Sequence, residues 1–320
     1  MKLFIRILFL TFISLIFLNC INRTSLYAVE IPADLIEAVE TEEPPVPTRA
    51  EIIIKTLMTA YPDKIEKIEY LNDDWAFFLN DTWYYYAGGR LLPESELENS
   101  SNYRAISFYN YPAELPEWVE RTPSTTNRSS STAGSNSGSS AQRVQTRRSN
   151  FFLDTIWNSG TQRETENQLV RFNFLGKQTR IHKDIHERLV TIETQIRAAA
   201  QTDQDIQTWI NSIYTQESYN WRNIALTANR SYHSYGLAID FLPRSLGRLQ
   251  TYWLWSSQSG RDWRNIPYTE RYHPPAPVIK IFESYGFIWG GKWMQFDTMH
   301  FEYRPELLIL SGFTVIGLND

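Results

Sequence analysis

Apolar residues recur along the chain with two spacings, one typical of helices and one typical of strands. Helical spacing predicts a helix over residues 50–60, and two aromatic-rich runs, residues 75–79 and 82–87, flank an Asn-Asp pair that favours a hairpin turn. We expect the aromatic side chains of this hairpin to pack a small core of their own, and stacking on sugars is the less favoured interpretation. Residues 50–120 are therefore predicted to be a small α+β unit of unknown role.

The second half of the chain has longer helical patterns and short strand-like runs. Helices are predicted over residues 184–200 and 276–284, and strands over residues 237–242 and 299–303. Four apolar residues share one face of the first helix: Ile185, Leu189, Ile192 and Ile196. Because strands and helices do not alternate regularly, residues 150–320 are predicted to form an α+β domain rather than a parallel α/β fold.

The sequence begins with Lys2 and Arg6 ahead of an apolar run over residues 7–18. This run is shorter than the ~20 residues that a membrane-spanning helix needs. A basic start followed by a short apolar run is typical of a secretory signal. Residues 1–20 are therefore predicted to be a signal segment, and we expect the mature protein in the periplasm or the cell envelope.

Cys20 leaves two interpretations of this signal open. Leu18, Asn19 and Cys20 resemble a bacterial lipoprotein cleavage site, although asparagine is unusual directly before the cysteine. Acylation of Cys20 would attach the protein to a membrane, as would an uncleaved N-terminal segment. In the other interpretation, Cys20 only ends the apolar run and carries no lipid.

Two polar stretches separate these parts of the chain. Residues 21–49 are rich in Pro and Glu and predict an extended spacer. Residues 121–149 consist largely of Ser, Thr, Asn and Gly, with five arginines and no acidic residue. Since such a composition cannot bury a core, we interpret the second stretch as a flexible linker. A basic strip that binds an anionic polymer of the envelope is the alternative.

Composition narrows the class of protein further. The 320 residues are 42% hydrophobic and 21% charged, which is ordinary for a globular protein. The net charge of -5 gives no overall attraction to nucleic acid, so no nucleic-acid partner is expected. One cysteine excludes both an internal disulfide framework and a zinc site built from several thiolates. A metal site must therefore use histidines and carboxylates, and the sequence has five histidines.

Three of the histidines are not expected to carry chemistry. His182 and His186 are four residues apart and are expected on the solvent face of a helix, because the residues between them lack the glutamate of a zinc-protease helix. His273 precedes two prolines in an extended loop and is expected to be structural. The other two, His233 and His300, lie in the segments that carry the candidate chemistry.

Residues 231–240 place a histidine and a carboxylate within reach of each other. On the predicted strand, Asp240 lies on the face opposite to the apolar one. Gly236 allows the chain to turn, so that His233 approaches Asp240. With His300 the chain offers three ligands, and the fourth position of a tetrahedral zinc ion stays open, as in catalytic zinc sites.

These motifs resemble the zinc D-alanyl-D-alanine carboxypeptidase and L-alanyl-D-glutamate endopeptidase family (peptidase family M15), which includes vancomycin-resistance dipeptidases and phage endolysins. The pattern S-x-H-x-x-G-x-A-x-D spans residues 231–240, and D-x-x-H-F-E spans residues 297–302. The runs YNWRNI upstream and GFIWGGKW before the second motif support the match. The resemblance covers residues 191–304 and implies a small antiparallel sheet flanked by helices, the zinc fold also found in hedgehog signalling domains.

Carried over residue by residue, the resemblance implies one catalytic Zn²⁺ with three protein ligands: His233, Asp240 and His300. Asp297 is then the general base, and Glu302 is either the alternative base or a residue that orients His300. Arg222 would stabilise the oxyanion, and Ser231 would support the loop that carries His233. Trp289 and Trp293 either line the substrate cleft or pack against the sheet.

The resemblance also implies a function. It indicates an exported hydrolase that acts on peptidoglycan stem peptides, and we prefer a D-alanyl-D-alanine carboxypeptidase. An L-Ala-D-Glu endopeptidase of the same fold is the first alternative. The second is a non-catalytic, zinc-containing module that binds the cell wall or a protein, against which the presence of both Asp297 and Arg222 argues.

Overall fold

The structure is a computed structural model and describes residues 46–117 and 147–318. The predicted signal segment, and most of the predicted spacer and linker, lie outside the described residues, so these assignments stay predictions. The described residues from Pro47 onward form one compact unit. Within the described ranges, no helix is long and apolar enough to cross a membrane.

Helices and strands are numbered separately along the chain. The α-helices are α1 Arg49–Ala60, α2 Phe151–Ile156, α3 Gln162–Gln168, α4 His186–Ala199, α5 Gln204–Ser212, α6 Trp253–Gln258, α7 Ala276–Ser284 and α8 Pro305–Leu310. The strands are β1 Lys67–Leu71, β2 Asp74–Leu79, β3 Thr82–Tyr85, β4 Leu92–Pro93, β5 Tyr103–Arg104, β6 Arg147–Arg148, β7 Leu169–Phe174, β8 Lys177–His182, β9 Ile213–Glu217, β10 Ala238–Pro243, β11 Phe287–Trp289 and β12 His300–Tyr303. Short 3-10 helices cover Ala87–Gly89, Glu94–Glu96, Ser100–Asn102, Lys183–Ile185, Tyr232–Tyr235, Trp263–Asn265, Tyr268–Glu270 and Gly290–Lys292.

Two antiparallel sheets organise most of these strands. The first has the order β1-β2-β3-β4, and the second, which carries the candidate site, has the order β11-β12-β10-β9. β7 and β8 form an antiparallel pair, and β5 and β6 form a short parallel pair. The described chain is thus α+β with small antiparallel sheets and helices, as the sequence predicts.

The first helix and hairpin form for local reasons. Thr48 Oγ1 accepts a hydrogen bond from the backbone N–H of Glu51 at 3.2 Å and so caps α1. The predicted hairpin is confirmed as β2 and β3, which pair antiparallel. Its two turn residues, Asn80 and Asp81, have φ values of 50° and 58°, as a two-residue turn that matches the twist of the strands requires.

The hydrophobic core runs without a break from α1 into the second sheet. α1 packs against α8, and Phe77 of the hairpin meets Phe152 edge-on, with 5.5 Å between ring centroids. In the second sheet, Phe282 and Phe301 stack at 4.2 Å. The expectation of a separate core is therefore wrong for Phe77, which packs on Phe152 of the later chain, whereas Phe78 and Trp83 meet each other within the hairpin at 5.2 Å.

The two predicted helices of the second half are confirmed as α4 and α7, the latter with the predicted bounds. The predicted apolar face of α4 and the turn before it is buried: Ile185, Leu189, Ile192 and Ile196 are each at most 1% exposed. Pro275 occupies the N-cap of α7, and Gly286 follows it with a φ of 93°. Proline before a helix and glycine after it favour these bounds.

The expectation for His182 is wrong. His182 ends β8 instead of lying on a helix, because Lys177–His182 pairs with Leu169–Phe174. Its side chain is buried, and its Nε2 lies 2.9 Å from the backbone oxygen of Trp157. Burial lowers the pKa of His182, which favours the neutral ring. His186 begins α4 and His273 is exposed.

Candidate metal centre

The second sheet brings three side chains to one point. Asp240 on β10 lies directly opposite His300 on β12 in the antiparallel register. His233 lies in the 3-10 helix that precedes β10. All three side chains are buried, and one possible ligand atom of each lies within 4.8 Å of the others. The structure therefore brings together the three residues that the sequence proposes as ligands.

Gly236 makes the turn between His233 and β10. Its φ of 68° lies in the left-handed region, and a Cβ there would approach Leu169 Cδ2 to 2.6 Å and the backbone nitrogen of His182 to 2.8 Å. Only glycine combines this conformation with so close an approach. On the other side of the turn, Ser231 Oγ accepts a hydrogen bond from the backbone N–H of His233 at 3.3 Å. Both residues thus fix the loop that carries His233.

The three ligand atoms form a triangle of the size that a metal ion needs. His233 Nε2 lies 3.2 Å from His300 Nδ1 and 3.2 Å from Asp240 Oδ1. His300 Nδ1 lies 2.8 Å from Asp240 Oδ1. Ligands of a tetrahedral zinc ion, at ~2.1 Å from the metal, are about 3.4 Å apart. Only small side-chain movements separate these positions from zinc coordination.

The outer nitrogens of both histidines have hydrogen-bond acceptors. His233 Nδ1 lies 2.5 Å from the backbone oxygen of Ser218, and His300 Nε2 lies 3.1 Å from Glu302 Oε2. Donation of an N–H to each acceptor leaves a lone pair on each inner nitrogen. Two such lone pairs beside a carboxylate oxygen are the donor set that Zn²⁺ binds, so the residues fit a zinc ion.

The electrostatics of the group favour a positive charge at its centre. Burial works against ionisation of Asp240, but the charges and hydrogen bonds of His233 and His300 hold its pKa far below its ordinary value. Burial also opposes a charge on His300, yet hydrogen bonds to Asp240 and Glu302 raise its pKa well above its ordinary value. The negative charges that favour a proton on His300 would also favour a bound cation at this position.

Asp297 lies three residues before His300, on the wall of the same cavity. Its backbone N–H donates to the backbone oxygen of Gly290 at 3.0 Å, whereas its carboxylate Oδ1 is buried and has no hydrogen-bond partner among the described residues. Burial is the main cause that raises the pKa of Asp297 to about 7, and the charges of His300 and Asp240 act on it in opposite directions. Such a carboxyl group exchanges a proton readily near neutral pH.

A cavity of about 350 Å³ opens beside these groups. Arg222 lines its exposed side, and the positive charge of Arg222 lowers the pKa of Asp297 against the effect of burial. The backbone of Arg222 is fixed, because its N–H donates to Ser234 Oγ at 2.9 Å and its oxygen accepts from the same hydroxyl at 2.6 Å. The cavity therefore places an arginine, a carboxyl group and the three candidate ligands around one space.

Glu302 and the two tryptophans occupy different places. The Oε2 atom of Glu302 contacts His300 and its Oε1 contacts Arg304, an arrangement that fits orientation of His300 better than proton transfer. Trp293 lines the cavity. Trp289 does not line it and is 2% exposed, and its Nε1 donates to the backbone oxygen of Thr298 at 2.9 Å. Only one of the two tryptophans thus lies where a substrate could touch it.

Several residues that line the cavity are not among those predicted from the sequence. Four of them are Thr215, Glu217, Tyr252 and Trp255. Tyr252 and Trp255 belong to the aromatic run over residues 252–255, which could have drawn attention to them. Thr215 and Glu217 lie on β9, and their sequence carries no motif that points to a site. Burial, with the nearby charge of Asp297, raises the pKa of Tyr252, so this hydroxyl stays protonated at neutral pH.

Comparison with known proteins agrees with this geometry. Residues 225–303 match a family model described as D-alanyl-D-alanine carboxypeptidase, and this range includes the three candidate ligands and Asp297. Residues 53–108 match the model of a domain of unknown function, DUF8518. No solved structure matches the chain.

A curated protein is similar to part of the chain. The peptidoglycan L-alanyl-D-glutamate endopeptidase CwlK of Bacillus subtilis (strain 168) is 33% identical over 106 residues. The match covers 30% of this chain and 54% of that protein, so the chain spans about half the length of the curated relative it matches. Together with the family model, it confirms the predicted resemblance to the D-alanyl-D-alanine carboxypeptidase and L-alanyl-D-glutamate endopeptidase family.

Proposed function

We propose that this protein is a zinc-dependent peptidase that hydrolyses peptidoglycan stem peptides. The observation that carries the proposal is the convergence of three buried ligand atoms with Asp297 on one cavity wall. A module that only binds would not need a buried carboxyl group with an unpartnered oxygen beside the metal ligands. The names of the matched family and of the Bacillus relative also support a peptidase.

The residues of the cavity have separate roles in the proposed amide hydrolysis. When bound by His233, Asp240 and His300, Zn²⁺ supplies a Lewis acid that lowers the pKa of water and polarises the substrate carbonyl. Asp297 accepts the proton of the attacking water through its unpartnered oxygen and returns it to the leaving amine. Arg222 donates hydrogen bonds to the carbonyl oxygen as its negative charge develops.

Within this class we place D-alanyl-D-alanine carboxypeptidase first. The description of the matched family model favours it. The second candidate is an L-Ala-D-Glu endopeptidase, which the activity named for the Bacillus relative favours. Both activities use the same ligands and the same base.

The proposed substrate is a component of the cell wall, so the protein must act outside the cytoplasm. The predicted signal segment, residues 1–20, supports this location. Whether Cys20 carries a lipid is part of the same proposal, since the lipid would keep the enzyme at the membrane surface. The intact mass of membrane-extracted protein tests it, because an acyl group adds a defined mass to an N-terminal cysteine.

The activity is tested by mass spectrometry of defined muropeptides incubated with the full chain, with zinc and with a chelator. Loss of one terminal alanine would identify a carboxypeptidase, and release of the stem between L-Ala and D-Glu would identify an endopeptidase. Activity that a chelator abolishes and added zinc restores would exclude a contaminating serine peptidase. Unchanged muropeptides in the presence of stoichiometrically bound zinc would contradict the proposal and favour a binding module.

A further inference from the structure

A row of buried, hydrogen-bonded side chains leads from His300 to the N-terminal part of the chain. Glu302 accepts from His300 through Oε2, and its Oε1 lies 3.4 Å from Arg304 Nη1. Arg304 Nε donates to Glu306 Oε1, and Glu306 Oε2 accepts a hydrogen bond from the hydroxyl of Tyr61 at 2.7 Å. All five residues are buried, so water does not screen these contacts.

Arg304 contacts the carboxylates of both Glu302 and Glu306. The N-terminal part of the chain contacts Glu306 and Arg304 and so affects how Arg304 divides its hydrogen bonds between them. Tyr61 occupies one oxygen of Glu306, and the backbone oxygen of Ser107 accepts from Arg304 Nη2 at 3.4 Å. The guanidinium group is a planar fork whose donors cannot move independently. Without the Tyr61 hydroxyl, Glu306 would satisfy both oxygens from Arg304 and draw it away from Glu302.

A second contact joins the same region to the wall of the cavity. Trp293 Nε1 donates a hydrogen bond to the hydroxyl of Tyr109 at 2.8 Å. Trp293 lines the cavity, and its ring centroid lies 5.5 Å from that of His300. Tyr109 does not line the cavity itself, and its hydrogen bond to Trp293 joins it to a residue that does.

The segment that carries Tyr109 is itself fixed to the rest of the molecule. The hydroxyl of Tyr111 donates to Glu283 Oε1 at 2.5 Å and accepts from the backbone N–H of Trp289 at 2.9 Å. On the other side of Tyr109, the backbone oxygen of Phe108 accepts from Arg49 Nη2 at 2.7 Å. The position of the Tyr109 hydroxyl is therefore set by contacts of the residues on both sides of it.

We propose that residues 49–113, which include the segment matched to a domain of unknown function, are a positioning element of the candidate site. Through Tyr61 and Ser107 this element orients Glu302 behind His300, and through Tyr109 it holds Trp293 on the cavity wall. Tyr61 and Tyr109 are positioning residues that touch neither metal nor substrate. The inference rests on the proposed function only for its activity readout, because its other readouts are zinc affinity and the environment of Trp293.

The contact to Glu306 is tested with Tyr61→Phe in the full chain. Zinc affinity, measured by competition with a chromophoric chelator, should fall several-fold, which is less than the about 10- to 100-fold that direct partners of a ligand contribute, because Glu306, Arg304 and Glu302 lie between Tyr61 and His300. The matched control is Tyr84→Phe, because the hydroxyl of Tyr84 also joins this region to the later chain, through Thr155 Oγ1 at 2.6 Å, but does not lead to the site. Equal zinc affinities in the two variants would overturn this half of the proposal.

The contact to the cavity wall is tested with Tyr109→Phe. In full chain labelled with 5-fluorotryptophan, the ¹⁹F resonance of Trp293, assigned by its loss in Trp293→Phe, should shift in Tyr109→Phe and not in Tyr84→Phe. The Michaelis constant for muropeptides should rise several-fold with kcat nearly unchanged, because Trp293 would contact bound substrate. An unmoved resonance would overturn this half.

The outcomes separate the two proposals. If no muropeptide is hydrolysed, the proposed function fails, while zinc affinity and the Trp293 resonance still test positioning. If muropeptides are hydrolysed but neither readout distinguishes these variants from Tyr84→Phe, the positioning proposal fails and the proposed function stands. If Tyr61→Phe does not fold, Tyr109→Phe, at a residue that is only partly buried, decides the question.

Discussion

Two groups of buried charged side chains differ in whether every buried acceptor has a hydrogen-bond donor. In the first, Glu283 Oε1 lies 2.6 Å from Lys292 Nζ and accepts from the Tyr111 hydroxyl at 2.5 Å. Lys292 Nζ also donates a hydrogen bond to the backbone oxygen of Ala113 at 2.7 Å. Charge and donors are therefore matched within the group.

The second group is the candidate metal centre, and there one buried carboxylate oxygen is left without a donor from the part of the chain that the structure describes. Two histidine nitrogens and a carboxylate oxygen face one another at 2.8 to 3.2 Å, and Asp297 Oδ1 has no partner among the described residues. Burial raises the pKa of both Glu283 and Asp297, so a raised pKa does not distinguish the groups. The unpartnered Oδ1 of Asp297 does, because a buried carboxylate oxygen without a donor is costly unless a bound water or substrate supplies one.

The largest effect is expected when the candidate metal centre loses one of its three ligands. His300→Ala should abolish stoichiometric zinc binding and lower kcat/KM for muropeptides by about 1,000-fold or more, because the remaining two ligands cannot hold a catalytic zinc ion. Zinc content after dialysis, together with muropeptide turnover, measures both. His273→Ala, at an exposed histidine away from the ligands, is the control and should keep both. Full zinc content in His300→Ala would show that the metal site lies elsewhere.

A smaller effect, on chemistry alone, is expected for the unpartnered carboxyl group. Asp297→Asn should keep zinc and the fold and lower kcat about 100- to 10,000-fold, because an amide does not accept the proton of the attacking water. Turnover and zinc content on the same preparation separate the two effects. Normal turnover in Asp297→Asn would assign the base to Glu302 or to another group.

The smallest effect on function, together with a clear loss of stability, is expected when the ion pair of Lys292 and Glu283 is broken. Lys292→Met leaves Glu283 buried without its cation and should lower the free energy of unfolding by about 3 kcal/mol at pH 7. Since the pKa of Glu283 is already raised by burial, the loss should shrink as pH falls below that raised value, where the folded state holds Glu283 protonated and uncharged.

Denaturant unfolding at several pH values and zinc affinity test this last comparison together. The zinc affinity of folded Lys292→Met should stay within about threefold of the parent, because Lys292 contacts no ligand. A destabilisation that is the same at pH 4 and pH 7 would contradict an ionised Glu283 in the folded protein. A large loss of zinc affinity would instead show that the Lys292–Glu283 ion pair and the candidate metal centre are energetically coupled.

The residues of the candidate site were accessible from the sequence because their geometry is local. His233, Gly236 and Asp240 lie within one turn and one strand, so their spacing alone limits how they meet. The partner strand that carries His300 is distant in sequence, but its own short motif identified it. The α1 helix and the β2–β3 hairpin were predictable for the same reason, since caps, turns and apolar spacing act over a few residues.

What the sequence did not reveal depends on contacts between distant residues. Tyr61 and Glu306 are 245 positions apart, and neither has a local pattern that indicates the other. His182 was assigned to a helix from its spacing to His186, whereas pairing with β7 places it on a strand. The shared core of the hairpin and α2 was missed in the same way, because aromatic residues pack equally well within a unit or across units.

The pairing of Asp240 directly opposite His300 also determines which genetic changes the site can tolerate. A substitution in β12 alters one side chain, but insertion or deletion of a single residue within the strand would send the side chains on one side of the change to the other face. The strand could still pair and the core could still close around other residues, yet the ligands would no longer meet. For this part of the chain, the number of residues in the strand is therefore constrained as strictly as the identity of its ligand.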